Sequence, residues 1–144
     1  MLRQLLFGGV ISMINIALHA LVMTTVVFVA QSVGAWNRSQ PSVRLIAVII
    51  PTVSVLMLAH ALEAIVWSLA YWIVDAAPAT ADLLYFAFVN YTTLGYGDVV
   101  PVERWRLLGP ITAMNGMLLF GWSAAVIFEV LRKALARPEF SMQN

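Results

Sequence analysis

Cysteine is missing from this 144-residue chain. Disulfide scaffolds, thiolate metal sites and cysteine nucleophiles are therefore excluded, and the redox compartment is left open. Charge is almost as scarce: Asp, Glu, Lys and Arg make up 10% of the residues against 62% hydrophobic, where a globular chain is about a quarter charged and half apolar. A net charge of +1 gives no basic patch for nucleic acid. No soluble module and no internal repeat stands out, so no soluble partner is expected. With a mean hydropathy of +0.89, a domain of this size cannot hide its apolar surface internally. The charge-free runs are also too long for the buried helices of an all-α soluble protein.

What the chain does have is three runs able to cross a membrane. Crossing a hydrocarbon core of about 30 Å takes about 20 mostly apolar residues. Leu5 to Ala30 carries no formal charge, Leu45 to Val74 carries only Glu63, and Leu107 to Leu131 carries only Glu129 near its end. The first run exceeds the apolar stretch of a signal peptide and lacks a small-x-small cleavage site after it, so it reads as a retained helix. Lying along the membrane surface is its alternative. Gln31 to Arg44 holds Gly34, Asn37, Ser39, Pro41 and Ser42 and reads as a loop. The second span ends at Asp75 to Thr80, which contains Pro78, and a short tail with Pro138 follows the third.

Between the second and third spans lies an apolar run too short to cross. Asp82 to Thr92 would make a helix of about 16 Å, half a membrane. Asp82 sits where an acidic residue suits the amino-terminal end of the helix dipole. A Gly-rich stretch follows, then Val99-Val100-Pro101 and the charged run Glu103-Arg104-Trp105-Arg106. Half a helix followed by extended backbone reads as a re-entrant loop. Such backbone is tolerated at membrane depth only where protein or a water-filled cavity surrounds it. Arg38, Arg44, Arg132, Lys133 and Arg137 fall on one side of the membrane and Arg3, Arg104 and Arg106 on the other. The positive-inside rule makes the first side cytoplasmic and puts the amino terminus and the re-entrant loop outside.

The loop carries Thr92-Thr93-Leu94-Gly95-Tyr96-Gly97-Asp98. This stretch resembles the selectivity filter of potassium channels, usually Thr-Val-Gly-Tyr-Gly followed by Asp. The resemblance covers 45–133. It implies an all-α membrane protein with an outer helix at 45–74, a pore helix at 82–92, a filter at 93–98 and an inner helix at 107–133. An amino-terminal transmembrane helix and cytoplasmic loop at 1–44 precede it, and a short cytoplasmic tail at 134–144 follows. A subunit then has three membrane helices and a re-entrant loop, and one filter per chain implies a four-fold homotetramer in a plasma or bacterial inner membrane. By the resemblance, the carbonyls of Thr93, Leu94, Gly95 and Tyr96 bind K+, the permeant ion, with no cofactor and no catalysis. Gly95 and Gly97 supply positive φ. Leu94 and Tyr96 should point away from the ions, and Thr92, Asp98, Tyr85 and Phe86 support the filter and its mouth. Leu94 departs from the commoner Val or Ile, and Tyr85 and Phe86 stand where many relatives have paired tryptophans. Val89 replaces a glutamate of some bacterial relatives. Retained Tyr96 and Asp98 argue against relatives that conduct sodium and potassium alike.

Around the filter the residues leave alternatives. Pro110 suits the first turn of the inner helix. Gly116 stands near the place where relatives bend that helix; it is a gating hinge or, with Gly121, Ser123, Ala124 and Ala125, a close-packing surface. Asn115 is expected to face the cavity. Glu129 is a pore-mouth charge or, preferably, a partner of Arg132 or Lys133. His60 and Glu63 share one face of the second span. They read as a proton-sensitive latch or, preferably, as a structural hydrogen bond to Asn15 or His19 of the first span. The pair also suggests a di-iron bundle, but that needs further carboxylates and only Glu129 remains. Trp36, Trp67, Trp72, Trp105 and Trp122, with Tyr71, read as an interfacial belt. No span carries arginines at every third position, so a voltage sensor of the usual kind is not expected. A non-selective cation channel, a non-conducting regulatory subunit and a membrane enzyme are the rival readings.

Overall fold

A computed structural model describes residues 1–36 and 41–135, with side chains over 1–29, 43 and 45–133. Four α-helices account for most of it: α1 (Leu2–Trp36), α2 (Pro41–Ile73), α3 (Leu83–Tyr91) and α4 (Leu108–Leu135), with a 3-10 turn at Glu103–Trp105 before α4. No strand occurs among the described residues. The expected loop at 31–44 is shorter than its turn-forming residues suggested, because α1 continues to Trp36 and α2 begins at Pro41. Proline fits there, since the first turn has no intrahelical partner for its missing N–H. Asn37, Arg38 and Ser39 of that loop, and Arg137 and Pro138 of the tail, lie outside the described residues.

Three stretches are long and apolar enough to cross a membrane: Leu2–Val29, Leu45–Ile73 and Glu103–Lys133. Their outward faces are rich in apolar side chains such as Leu6, Met13, Leu21, Ile50, Leu58 and Leu69. Water would penalise so much exposed apolar surface, whereas lipid or a neighbouring subunit would not.

The first helix belongs to the bundle. At one end Phe7 packs on Trp105, with ring centroids 5.6 Å apart, and Gln4 Oε1 accepts the Leu107 amide at 2.8 Å. Farther along, Met23 and Val26 pack with Leu56, Val126 and Ile127. Thus α1 runs parallel to α4 and antiparallel to α2. Gly8 lets it approach closely, since a Cβ there would come within 2.9 Å of Ile111. The contacts of α1 with α4 and the turn leading into it run from Gln4 to Val26, along the bundle and not across its surface.

The expected belt of aromatic residues is partly a core. Trp67 and Tyr71 are fully buried on α2, and Trp105 is covered beneath Arg3, whose guanidinium lies 4.9 Å from its ring. Trp67 donates to Asn115 at 3.0 Å. Thr112 donates to the Leu108 carbonyl, so Tyr71 is the donor in its 2.6 Å bond to Thr112. Internal hydrogen-bond partners hold these polar tips inside the bundle, where an interfacial residue would use water. Trp72 and Trp122 remain exposed.

Candidate functional site: the re-entrant loop and its support

The loop begins with a helix that is short for physical reasons at both ends. Asp82 caps α3 with its carboxylate, accepting the amides of Leu84 at 3.0 Å and Tyr85 at 3.1 Å. At the far end the Thr92 hydroxyl bonds back to the Phe88 carbonyl, and Thr93 turns to φ +61°, which a helix cannot continue through.

After Thr92 the backbone takes up an alternating handedness. Thr93, Gly95 and Gly97 have φ of +61°, +60° and +79°, while Leu94 and Tyr96 between them do not. The two glycines accept this freely. Thr93 does not, and a β-branched residue held there stores about 1–3 kcal/mol of strain. Its positive φ was not legible from residue type.

The amides fix the direction of the first carbonyls. Leu94 N–H and Gly95 N–H both donate to the Val89 carbonyl, at 3.0 and 3.3 Å. Across a trans peptide the C=O points opposite to the following N–H. The Thr93 and Leu94 carbonyls are therefore both turned away from α3, toward the same side. The helix thus engages the loop through the backbone carbonyl of Val89.

Leu94 and Tyr96 are largely exposed, so their own chain does not cover them. Tyr85 reaches the mouth of the loop and donates to Asp98 Oδ2 at 2.7 Å. The adjacent carboxylate pushes the Tyr85 phenol above its ordinary range. Phe86 faces the other way, buried against Tyr71 with ring centroids 4.9 Å apart, so it supports α3 on α2 and leaves the mouth to Tyr85.

Behind the loop lies a polar cluster drawn from all four helices. Glu63 Oε1 pairs with His19 Nδ1 at 2.8 Å, and Glu63 Oε2 with His60 Nδ1 at 3.0 Å. Tyr91, the last residue of α3, donates its hydroxyl to Glu63 Oε2. Ser123 Oγ lies 2.9 Å from His60 Nε2 and 3.3 Å from His19 Nε2. One helical turn away, Asn15 donates to the Glu63 carbonyl at 3.3 Å and to Asn115 Oδ1 at 3.2 Å. The sequence singled out His60 and Glu63, with Asn15 or His19 as partners. Ser123 as a hydrogen-bonding residue and Tyr91 were missed, because only the tertiary fold brings α3 and α4 to this point.

On α4 the expectation for Asn115 changes. Asn115 does not face a cavity: it is buried within the subunit, held by Asn15 and Trp67. Its Oδ1 accepts from both neighbours, while its Nδ2 has no hydrogen-bond partner among the described residues. Gly116 sits against the carbonyl of Tyr91, so closely that a Cβ would overlap it. Its immediate role is therefore close approach of α4 to α3. Gly121 meets nothing within 4 Å and packs against no part of its own chain. Glu129 bonds Arg132 at 2.9 Å and Lys133 at 3.2 Å along the helix surface.

Comparison with curated proteins and with solved structures gives no match. A protein-family model described as an ion channel does match, over residues 45–133. That is well over half of the chain, and it takes in α2, α3, the alternating loop and nearly all of α4. With three membrane-capable stretches around a re-entrant loop, this chain is a membrane protein that belongs to the ion channel family.

Proposed function

We propose that four copies of this chain assemble into a potassium-selective channel in a cell membrane, plasma or bacterial inner. The observation that carries the proposal is the backbone of 93–97. Positive φ at alternate residues, with the first two carbonyls turned to one side, is what a stack of carbonyl rings requires. A potassium ion entering such a stack exchanges its water shell for fixed oxygens from four chains. Thr93, Leu94, Gly95 and Tyr96 supply those oxygens, and the carboxyl end of α3 adds its negative dipole end near the inner sites. The Tyr85–Asp98 bond braces the outer mouth. The exposed Leu94 and Tyr96 pack against the neighbouring subunit. Conduction is passive, without a cofactor, a catalytic step or an arginine-rich voltage sensor.

Purified protein in potassium-loaded liposomes, diluted into sodium-rich buffer, tests this. Barium-sensitive potassium efflux with little sodium entry is the expected result. Equal sodium and potassium flux would make the chain a non-selective cation channel. A purified monomer or dimer without flux at any pH would leave the non-conducting regulatory subunit as the better reading.

A further inference from the structure

Glu63, His19 and His60 sit apart from the ion path, and their hydrogen bonding has an unmatched proton count. Each neutral imidazole carries one N–H. Both Nδ1 atoms face the Glu63 carboxylate, at 2.8 and 3.0 Å, and a carboxylate only accepts; His60 Nδ1 also lies 2.9 Å from the Tyr91 hydroxyl, whose hydrogen goes to Glu63. With both Nδ1–H groups donating, both Nε2 atoms become acceptors. Yet both face the single hydroxyl of Ser123, which has one hydrogen to give. With both rings neutral one of these contacts has no hydrogen; an additional proton on one ring, or a cation in place of the Nδ1 hydrogens, accounts for every imidazole contact.

A cation between the Nδ1 atoms and Glu63 is the second of these arrangements. Each ring then holds its hydrogen on Nε2, and the two lone pairs of Ser123 Oγ accept both. Metal-bound histidines are oriented in this way, through a hydrogen bond from the ring nitrogen that does not bind the ion. Tyr91 occupies Glu63 Oε2, which leaves Oε1 for the ion. The ligand atoms of His19, His60 and Glu63 lie within 4.8 Å of one another. Bonds of about 2.0–2.1 Å in a tetrahedral site put ligand atoms about 3.3 Å apart. The 2.8 Å contact of His19 with Oε1 would therefore open by about half an ångström, and any pair of ligand atoms wider than about 3.3 Å would close to it. His19 is fully buried and Glu63 nearly so, while the His60 side chain keeps 14% of its surface exposed and marks the entry side.

We propose that His19, His60 and Glu63 form a divalent-cation site of the zinc type, with Ser123 orienting both imidazoles, that clamps α1 to α2 behind the pore helix. Two imidazoles and one carboxylate are borderline ligands suited to zinc and poorly suited to calcium or magnesium. The proposal stands independently of potassium conduction.

The test is metal binding to the purified full-length protein after chelator treatment, using Zn2+ in calorimetry and Co2+ in visible absorption. These two histidines are the only ones in the chain, so any imidazole ligation reports on this site. The expected result is one Zn2+ per chain and an intense tetrahedral Co2+ band that Zn2+ displaces. His19→Gln and His60→Gln should abolish the band, and Ser123→Ala should weaken Zn2+ binding by about tenfold or more. Ser123→Ala leaves all three ligands in place and guards against loss through misfolding. Absence of a Co2+ band in the wild-type protein, or Zn2+ affinity unchanged in Ser123→Ala and both histidine variants, would overturn the site. Loss of potassium flux alone would bear on the channel reading and leave the metal site untouched.

Discussion

Tyr91 ends α3 and gives its hydroxyl hydrogen to Glu63 on the helix before it. The same residue's backbone carbonyl is the surface against which Gly116 of α4 rests. Its side chain and main chain thus join α3 to α2 and to α4, two residues before Thr93. Removing the hydroxyl in Tyr91→Phe leaves a buried carboxylate with one donor fewer, at a cost of about 1–3 kcal/mol. Thermal unfolding in detergent should show the loss. An unchanged midpoint would mean that the histidines alone satisfy Glu63.

Gly116→Ala should be far more damaging than Gly121→Ala. The added methyl at Gly116 would overlap the Tyr91 carbonyl, a backbone atom that cannot swing aside, whereas Gly121 has open space around it within its own chain. Overpacking of this kind costs about 1–3 kcal/mol. Comparing the thermal stability of the two purified variants decides it. Equal stability, with altered open probability in Gly116→Ala only, would restore the hinge reading.

Gly95→Ala separates conformation from space. A Cβ at Gly95 meets only the Thr93 carbonyl oxygen, at 3.9 Å, so room exists. The difficulty is φ of +60°, which costs an L residue about 1–2 kcal/mol. Repeated in each chain of the proposed four-chain filter, that cost should collapse the alternation and lose potassium-over-sodium selectivity in the liposome flux assay. Retained selectivity would show that the ring tolerates four strained alanines.

The Tyr85–Asp98 bond has a defined pH behaviour. Because the Asp98 carboxylate holds the phenol above its ordinary range, Tyr85 stays protonated, and the bond stays made, past the pH at which free tyrosine ionises. Tyr85→Phe should therefore shorten sustained conduction at neutral pH, and raising the pH through the range in which the wild-type phenol ionises should then change it less than in the wild type. Single-channel dwell times across pH report both. Identical dwell times in the two proteins would remove the bond from filter stability.

Asn115→Leu should destabilise although it increases the apolarity of a membrane helix. It would leave the Trp67 N–H and one Asn15 donor bond without their acceptor, about 1–3 kcal/mol for each buried orphan. A melting-temperature drop measures it, and a rise would contradict the burial described here.

Residue order alone determined the three spans, because membrane thickness imposes a length and a charge-free composition that no fold can alter. It also determined the cap at Asp82, a local bond between a side chain and the next turn. The positive φ of Gly95 and Gly97 followed from residue type. Tertiary structure decided the rest. Thr93 takes a φ that its type disfavours because Val89 draws two successive amides back toward α3. Asn115 turns inward because Trp67 and Asn15 wait there. Ser123 and Tyr91 join His19, His60 and Glu63 only because four helices converge at one depth. Local propensity and hydropathy act within a few residues of one another. The contacts of Asn115, Ser123 and Tyr91 join residues 28 to 104 positions apart, and only packing brings them together.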